Sequence, residues 1–251
     1  MPAPSRRYGG RVLALLYDVH GNLAALEAVL QDAEAAGATD WLVGGDVSAF
    51  GPWPVDTLAR LRALPGARWV RGNHERWAVE TADVPDVPLA LGGVAAAREA
   101  LGADTVVELH GLPLWQPLPG GEAWHASPRS DVDGFLPEPA DGEGELLEGR
   151  TPDLLVVGHT HLQVRRELHR PDGGVTTLVN PGSVGLPFDG DPRAAYALLA
   201  DDGTVVLRRV AYDIDRTVAE QAARWGDAAW ARAVAATYPT GRPSSIPVPR
   251  A

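Results

Sequence analysis

Cysteine is absent from the 251 residues, and so is lysine: all 22 basic side chains are arginine. Without cysteine there is no disulfide and no thiolate metal ligand. Without lysine, a phosphate loop built on a lysine ammonium and Schiff-base catalysis are both excluded. Long apolar runs are missing too. None approaches the roughly 20 residues that a membrane span requires, and no membrane association is expected. Two arginines within the first ten residues precede no apolar stretch of signal-peptide length, so the expected location is the cytoplasm. Positive charge is scarce: 33 acidic residues against 22 basic leave a net charge of −11. Binders of long nucleic acid carry a basic face, and this balance argues against one. No internal repeat is visible. What remains is an ordinary apolar content of 45% in a length that suits one domain.

Several short apolar runs each end in a polar cluster. Arg11 to Tyr17 is nearly all apolar, as a strand buried on both faces would be, and runs into Asp18-Val-His20-Gly-Asn22. Asn22 is a good N-cap for a helix carrying Leu23, Leu26, Leu30 and Ala33, which Gly37 ends. The run from Asp40 to Val43 leads into Gly44-Gly-Asp46, with a second helix expected after Pro54. A third run, Arg68 to Val70, leads into Gly72-Asn73-His74-Glu75. Glu122 to His125 reads as a strand ending at His125-Ala-Ser-Pro128. Leu154 to Val157 is followed by Gly158-His159-Thr-His161. In extended chain alternate residues share a side, so both imidazoles of His159 and His161 are expected to reach one spot.

Elsewhere, Gly92 to Leu101 predicts a helix, and prolines 113, 117 and 119 confine any strand between them to an edge. The acidic, Gly/Pro-rich stretch from Pro137 to Glu148 reads as a surface excursion. Two hairpins are expected, Gln163–Leu168 with Val175–Val179 and Ala194–Leu199 with Thr204–Val210, then helices through Trp225 and on to Ala236. A first half of alternating strands and helices and a hairpin-rich second half predict an α/β fold of two mixed sheets flanked by helices. The expected organisation is a flexible tail at 1–10, one domain over 11–238, and a flexible Pro-rich tail at 239–251.

The strand-end residues form a list: Asp18, His20, Asp46, Asn73, His74, His125, His159 and His161. Only His110 and His169 of the seven histidines lie outside it. Carboxylate and imidazole without thiolate suit Mn²⁺, Fe²⁺, Co²⁺, Ni²⁺ or Zn²⁺. So many donors exceed one ion's needs, whereas two ions sharing a bridging carboxylate would use them. Two ions roughly 3.5–4 Å apart clamp the oxygens of an in-line displacement at phosphorus. Two divalent ions, two aspartates and a hydroxide leave a spot of roughly +1 on an acidic protein, enough to attract a phosphate.

The order D-V-H-G-N (18–22), G-G-D (44–46), G-N-H-E (72–75), H-A-S-P (125–128) and G-H-T-H (158–161) resembles the calcineurin-like metallophosphoesterase superfamily. N-P-G-S-V-G (180–185) and G-D-P-R-A-A-Y (190–196) resemble its small prokaryotic phosphodiesterase branch. The resemblance spans about residues 11 to 215 and implies a four-layer α/β/β/α sandwich. It implies that Asp18, His20 and His161 hold one metal, that Asn73, His125 and His159 hold the other, and that Asp46 bridges. It implies that His74 is not a ligand but assists the leaving oxygen, with a metal-bridging hydroxide as nucleophile and no covalent intermediate. Manganese leads the expected metals. Three positions depart from the family pattern: Tyr17 for a serine, Glu75 for an aspartate and Ala126 for a glycine. None removes a ligand. Relatives that became binding scaffolds have lost such histidines.

The expected activity is hydrolysis of a small phosphate ester, diester or monoester, with a homo-oligomer left open. The rival readings are a nuclease, disfavoured by charge, and a metal-holding interaction module with little turnover. Arg129 is a candidate contact for a phosphate oxygen, against an equally good reading as a surface arginine paired to Asp131 or Asp133. Trp53 and Trp77 could stack on a base or simply pack. Trp124, alternating with His125, should point away from the site.

Overall fold

The structure, a computed structural model, describes residues 10–243. In chain order the strands are β1 (Val12–Leu16), β2 (Asp40–Val43), β3 (Arg68–Trp69), β4 (Trp115–Leu118), β5 (Gly121–Trp124), β6 (Leu154–Val156), β7 (Val164–His169), β8 (Val175–Asn180), β9 (Ala194–Ala200) and β10 (Val205–Val210). The helices are α1 (Leu23–Ala35), α2 (Pro54–Arg62), α3 (Asn73–Trp77), α4 (Pro88–Leu101), α5 (Ala103–His110), α6 (Ile214–Trp225) and α7 (Ala229–Thr237).

The strands form two five-stranded sheets, ordered β10-β9-β1-β2-β3 and β4-β5-β6-β8-β7. Both are mixed. In the first, β1, β2 and β3 run parallel and β9 is antiparallel to β1 and β10. In the second, β5, β6 and β8 run parallel, with β4 and β7 antiparallel at the edges. Pro113, Pro117 and Pro119 thus lie in or beside an edge strand, where a missing N–H costs no ladder bond.

β1 explains the layering. Leu13 and Leu15 face the second sheet, packing with Leu154, Val156 and Val179, while Val12, Ala14 and Leu16 face α1 through Leu26, Val29 and Leu30. A strand covered on both faces has no room for a polar residue, hence the continuous apolar run. α1 begins at Asn22, whose side chain accepts from Ala25 N at 3.1 Å, and Pro54 opens α2. The four-layer α/β/β/α order is the one expected. Its outer layer over the second sheet is thin. Phe135 and Leu147, from a loop and a short 3-10 turn (Glu143–Leu147), pack there on Trp124, Leu155 and Leu178. The stretch expected to be a surface excursion is therefore a lid over that sheet, and the part-buried Arg166–Glu143 pair at 2.6 Å fastens it.

α5 has no counterpart in the sequence reading. Gly102, at φ 78, breaks the path after α4, and the short β-branched helix beyond it is held by burying Val106 and Leu109. Most of each expected tail, 1–9 and 244–251, lies outside the described residues. Residues 239–243 fold back on the domain, where Gly190 N donates to Gly241 O at 2.9 Å.

Candidate active site

Parallel strands in both sheets direct their C-terminal ends to one rim, and each of β1, β2, β3, β5 and β6 delivers its polar cluster there. The backbone does not arrive extended. Asp18 (φ 53), His20 (φ 48), Asp46 (φ 53), His159 (φ 65) and His161 (φ 59) are left-handed, making five of the seven non-glycine positive-φ residues described. Each such residue costs energy and persists only where its surroundings enforce it. The expected alternation is thus corrected: His159 and His161 leave the strand on left-handed turns and serve different groups of donors. The turns are enforced from below. Tyr17 is fully buried between the sheets, and a Cβ on Gly44 or Gly158 would lie 2.2 or 2.4 Å from its ring. The large residue in place of serine is accommodated by two glycines.

Three overlapping groups each place their donor atoms within 4.8 Å: Asp18, His20 and His161; His20, Asp46 and His74; Asp46, His125 and His159. Asp46 sits centrally. Its Oδ1 lies 3.5 Å from His125 Nε2, and its Oδ2 lies 3.9 Å from His20 Nε2 and 3.6 Å from His74 Nε2. His161 Nε2 is 3.6 Å from Asp18 Oδ1. Asn73 Oδ1 stands 2.9 Å from both His125 Nε2 and His159 Nδ1.

The outward nitrogens are pinned. Nδ1 of His20 meets Ala49 O at 3.2 Å, that of His125 meets Gly44 O at 2.8 Å, and that of His161 meets Leu186 O at 2.6 Å. A carbonyl only accepts, so each Nδ1 carries the proton and each Nε2 presents a lone pair inward. Two consequences follow. His20 Nε2 and His161 Nε2 face each other at 3.0 Å with no proton between them, and His125 Nε2 faces the Asn73 oxygen in the same way. Asp18 Oδ1 is buried with no hydrogen-bond partner. Lone pairs converging without a donor are repulsive unless a cation lies among them, so the donor set fits divalent metal.

Titration of the metal-free site has a calculable sign. Burial and the surrounding imidazoles push His20 and His74 well below their ordinary values, and His159 down to about 3. These folded values lie below the unfolded value near 6.5, so the unfolded chain takes up the protons first. Asp46 opposes this: burial, then Glu75 and Asp18, push it well above the usual carboxylate range. Three imidazoles outweigh one carboxyl. Burial also disfavours the Asp18 carboxylate, but the facing His161, His125 and His159 hold it below its ordinary value. Metal-free protein should therefore lose stability as pH falls from about 6.5 towards 4, each such histidine contributing up to roughly 1.4 kcal/mol per pH unit. Urea unfolding at pH 7, 6 and 5 measures this; a constant unfolding free energy would contradict it.

Glu75 is a residue whose role the sequence left open. Its buried carboxylate accepts from Asp46 N and Gly72 N through Oε2, at 2.9 and 2.8 Å, and from Val47 N through Oε1 at 2.9 Å. Asp46 Oδ1 in turn accepts from His74 N at 3.0 Å. The two loops thus hold each other by reciprocal carboxylate–amide bonds. The segment from Asn180 to Phe188 braces the site. Asn180 Nδ2 donates to Gly158 O and Ser183 Oγ to Asp18 O, and Phe188 stacks on His161 with centroids 4.3 Å apart.

A cavity of about 370 Å³ opens over the cluster, lined by His20, Asp46, Asn73, His74, His159 and His161 together with Phe50, Trp77, Val87 and Leu89 among others. Arg129 does not line it; its guanidinium bonds Glu148 at 2.6 Å on the exposed surface. Trp53 lies elsewhere, beneath the Arg216 guanidinium. Trp124 points outward as expected, stacked on Trp115.

Comparison with known proteins bears on this arrangement. The sequence model described as calcineurin-like phosphoesterase matches residues 15–163. An uncharacterized protein of Methanocaldococcus jannaschii is 29% identical over 224 residues, 82% of this chain and 89% of that protein. The solved structure of a metallophosphoesterase from Sphaerobacter thermophilus superposes with a TM-score of 0.74 at 28% identity, covering 93% of this chain and all of that one. A hypothetical protein from Pyrococcus horikoshii OT3 shares the fold, with a TM-score of 0.72 at 19% identity over 89% of this chain and 97% of the other.

Proposed function

This chain belongs to the calcineurin-like phosphoesterase family, and on that premise we propose that it hydrolyses a small phosphate ester at a pair of divalent metal ions. Metal-dependent phosphoric ester hydrolysis is the activity of the family. The pairing of ions, their identity and the small substrate are the proposal. One observation carries it: inward lone pairs meet in two separate places, His20 with His161 and His125 with Asn73, and the Asp46 carboxylate stands between them.

In this reading Asp18, His20 and His161 hold one ion, Asn73, His125 and His159 hold the other, and Asp46 is shared. Manganese is the proposed metal; the same donors accept iron, zinc, nickel or cobalt. Bound there, the ions would supply charge to draw in the ester and water acidified for attack on phosphorus. The chain's own part is positional. The Glu75 clamp fixes Asp46 so that each of its oxygens faces one donor group.

His74 differs in one respect from three of the four proposed histidine ligands. Its Nδ1 is buried without any partner, whereas those of His20, His125 and His161 are tied to carbonyls. An untied ring can change protonation state and tilt, as an acid for the leaving oxygen must. Neutral when no anion is near, because burial and the imidazoles of His125, His159 and His161 disfavour its charge, it gains proton affinity beside an anionic phosphate.

A net charge of −11 and a cavity of about 370 Å³ favour a small ester over a nucleic-acid chain. No helix among the described residues is long and apolar enough to cross a membrane. The test is hydrolysis of bis(4-nitrophenyl) phosphate and 4-nitrophenyl phosphate by protein stripped with chelator and reloaded with Mn²⁺. Turnover should vanish on stripping and return on reloading. Protein that takes up metal yet hydrolyses neither ester, nor any in a broader panel, would instead be a metal-holding interaction module.

A further inference from the structure

Beside the donors the cavity is lined by apolar and aromatic residues, and three of its rings stand directly against the imidazoles. Phe188 stacks on His161 with centroids 4.3 Å apart, Trp77 stacks on His74 at 5.1 Å, and Phe50 meets His74 edge-on at 4.8 Å. Val87, Leu89 and Val132 complete this lining. A substituent one ester bond from a phosphorus held at the donor cluster is therefore within reach of these rings.

Charge sharpens the reading. Arg76 is the one arginine among the residues lining the cavity. It is already engaged: Nε and Nη2 bond Asp131 at 2.7 and 2.8 Å, Nη1 bonds Asp83 at 2.7 Å, and Glu80 lies 3.6 Å from Nη1. Of these carboxylates Asp83 lines the cavity itself, with Asp131 and Glu80 behind it, and the three outnumber Arg76 and the nearby Arg71, so this flank is net negative. A second anionic group on the substrate would meet repulsion there and find no free cation.

We propose that the site selects esters of a single phosphate whose organic substituent is uncharged and aromatic or apolar, seated against Trp77, Phe50 and Phe188, and that the carboxylates around Arg76 reject substrates bearing a second anionic group at the substituent's far end. This rests on the metal–phosphate reading above and adds to it the chemistry of the rest of the substrate.

Three non-hydrolysable probes test it by calorimetry on manganese-loaded protein: methylphosphonate, phenylphosphonate and 4-carboxyphenylphosphonate. The carboxylate of the third is too far from its phosphonate to chelate the same ions. Burial of the ring should make phenylphosphonate bind about 10- to 100-fold more tightly than methylphosphonate. The 4-carboxyphenyl compound should lose most of that gain. Trp77→Ala should abolish the preference for phenyl over methyl. Because Trp77 also supports His74, a second variant acts independently: Asp83→Ala, at an exposed carboxylate, should restore affinity for the carboxyphenyl probe by severalfold. Equal affinities for all three probes, or tightest binding of the carboxyphenyl compound to the unaltered protein, would overturn the inference. Failure of all three to bind would instead count against the metal–phosphate reading beneath it.

Discussion

His74→Ala should lower kcat by roughly 10²- to 10⁴-fold, the usual loss when a positioned proton donor is removed, while the protein keeps its metal. The expectation comes from what holds each ring. The proposed ligands His20, His125 and His161 are oriented by backbone carbonyls behind them. His74 has no such partner on Nδ1; its Nε2 lies 3.6 Å from Asp46 Oδ2 and neighbouring rings pack against it. Its removal should leave the donor positions intact. A His74→Asn variant, which fills more of the vacated space, controls for collapse of Phe50 and Trp77. The rate loss should shrink for esters with good leaving groups, because an oxygen that departs readily as an anion needs less protonation. Loss of bound metal in both variants would instead identify His74 as a ligand.

Asp46→Asn should have the larger effect on the site as a whole. Its two oxygens face two donor groups, His125 on one side and His20 on the other. Asparagine keeps the shape and can still accept the His74 amide bond through one atom. It removes the negative charge and leaves only one oxygen, so it cannot face both ions as an anion does. Metal affinity should fall by more than the roughly 10- to 100-fold seen when groups merely supporting ligands are changed, and hydrolysis should drop to background. The fold should survive. Burial, then Glu75 and Asp18, already oppose the Asp46 charge when metal is absent, so metal-free Asp46→Asn should be at least as stable as the metal-free parent. A variant that kept two ions and near-normal turnover would remove Asp46 from the shared position.

Much of this was legible in the sequence because two physical constraints coincide. Strands covered on both faces must be uninterruptedly apolar, so β1, β2 and β6 announce themselves, and the polar residues that follow mark the rim. Asn22, Pro54 and the prolines around β4 read correctly because caps and missing N–H groups act locally. What stayed hidden depends on contacts between distant segments. That the His-x-His and Asp-x-His turns are left-handed follows from loops packed over Tyr17, Gly44 and Gly158, which local alternation does not encode. The carboxylate of Glu75 reaches three amides in two loops, one of them about 28 residues away. A Glu in its motif could orient His74 or cap the turn that follows, and nothing local shows a reach into a second loop. The cavity's apolar wall comes from residues such as Leu89, Val132 and Phe188, whose side chains look like any other core. The lid over the second sheet was misjudged because Phe135 and Leu147 are sparse among acidic and glycine residues.

The most direct measurement is the metal content of the purified protein, by elemental analysis after dialysis against trace manganese, for the parent, His161→Ala and His125→Ala. The two-ion account predicts two spin-coupled manganese equivalents per chain in the parent, and about one equivalent without spin coupling in each variant. One equivalent in the parent, or identical metal content in all three proteins, would contradict it.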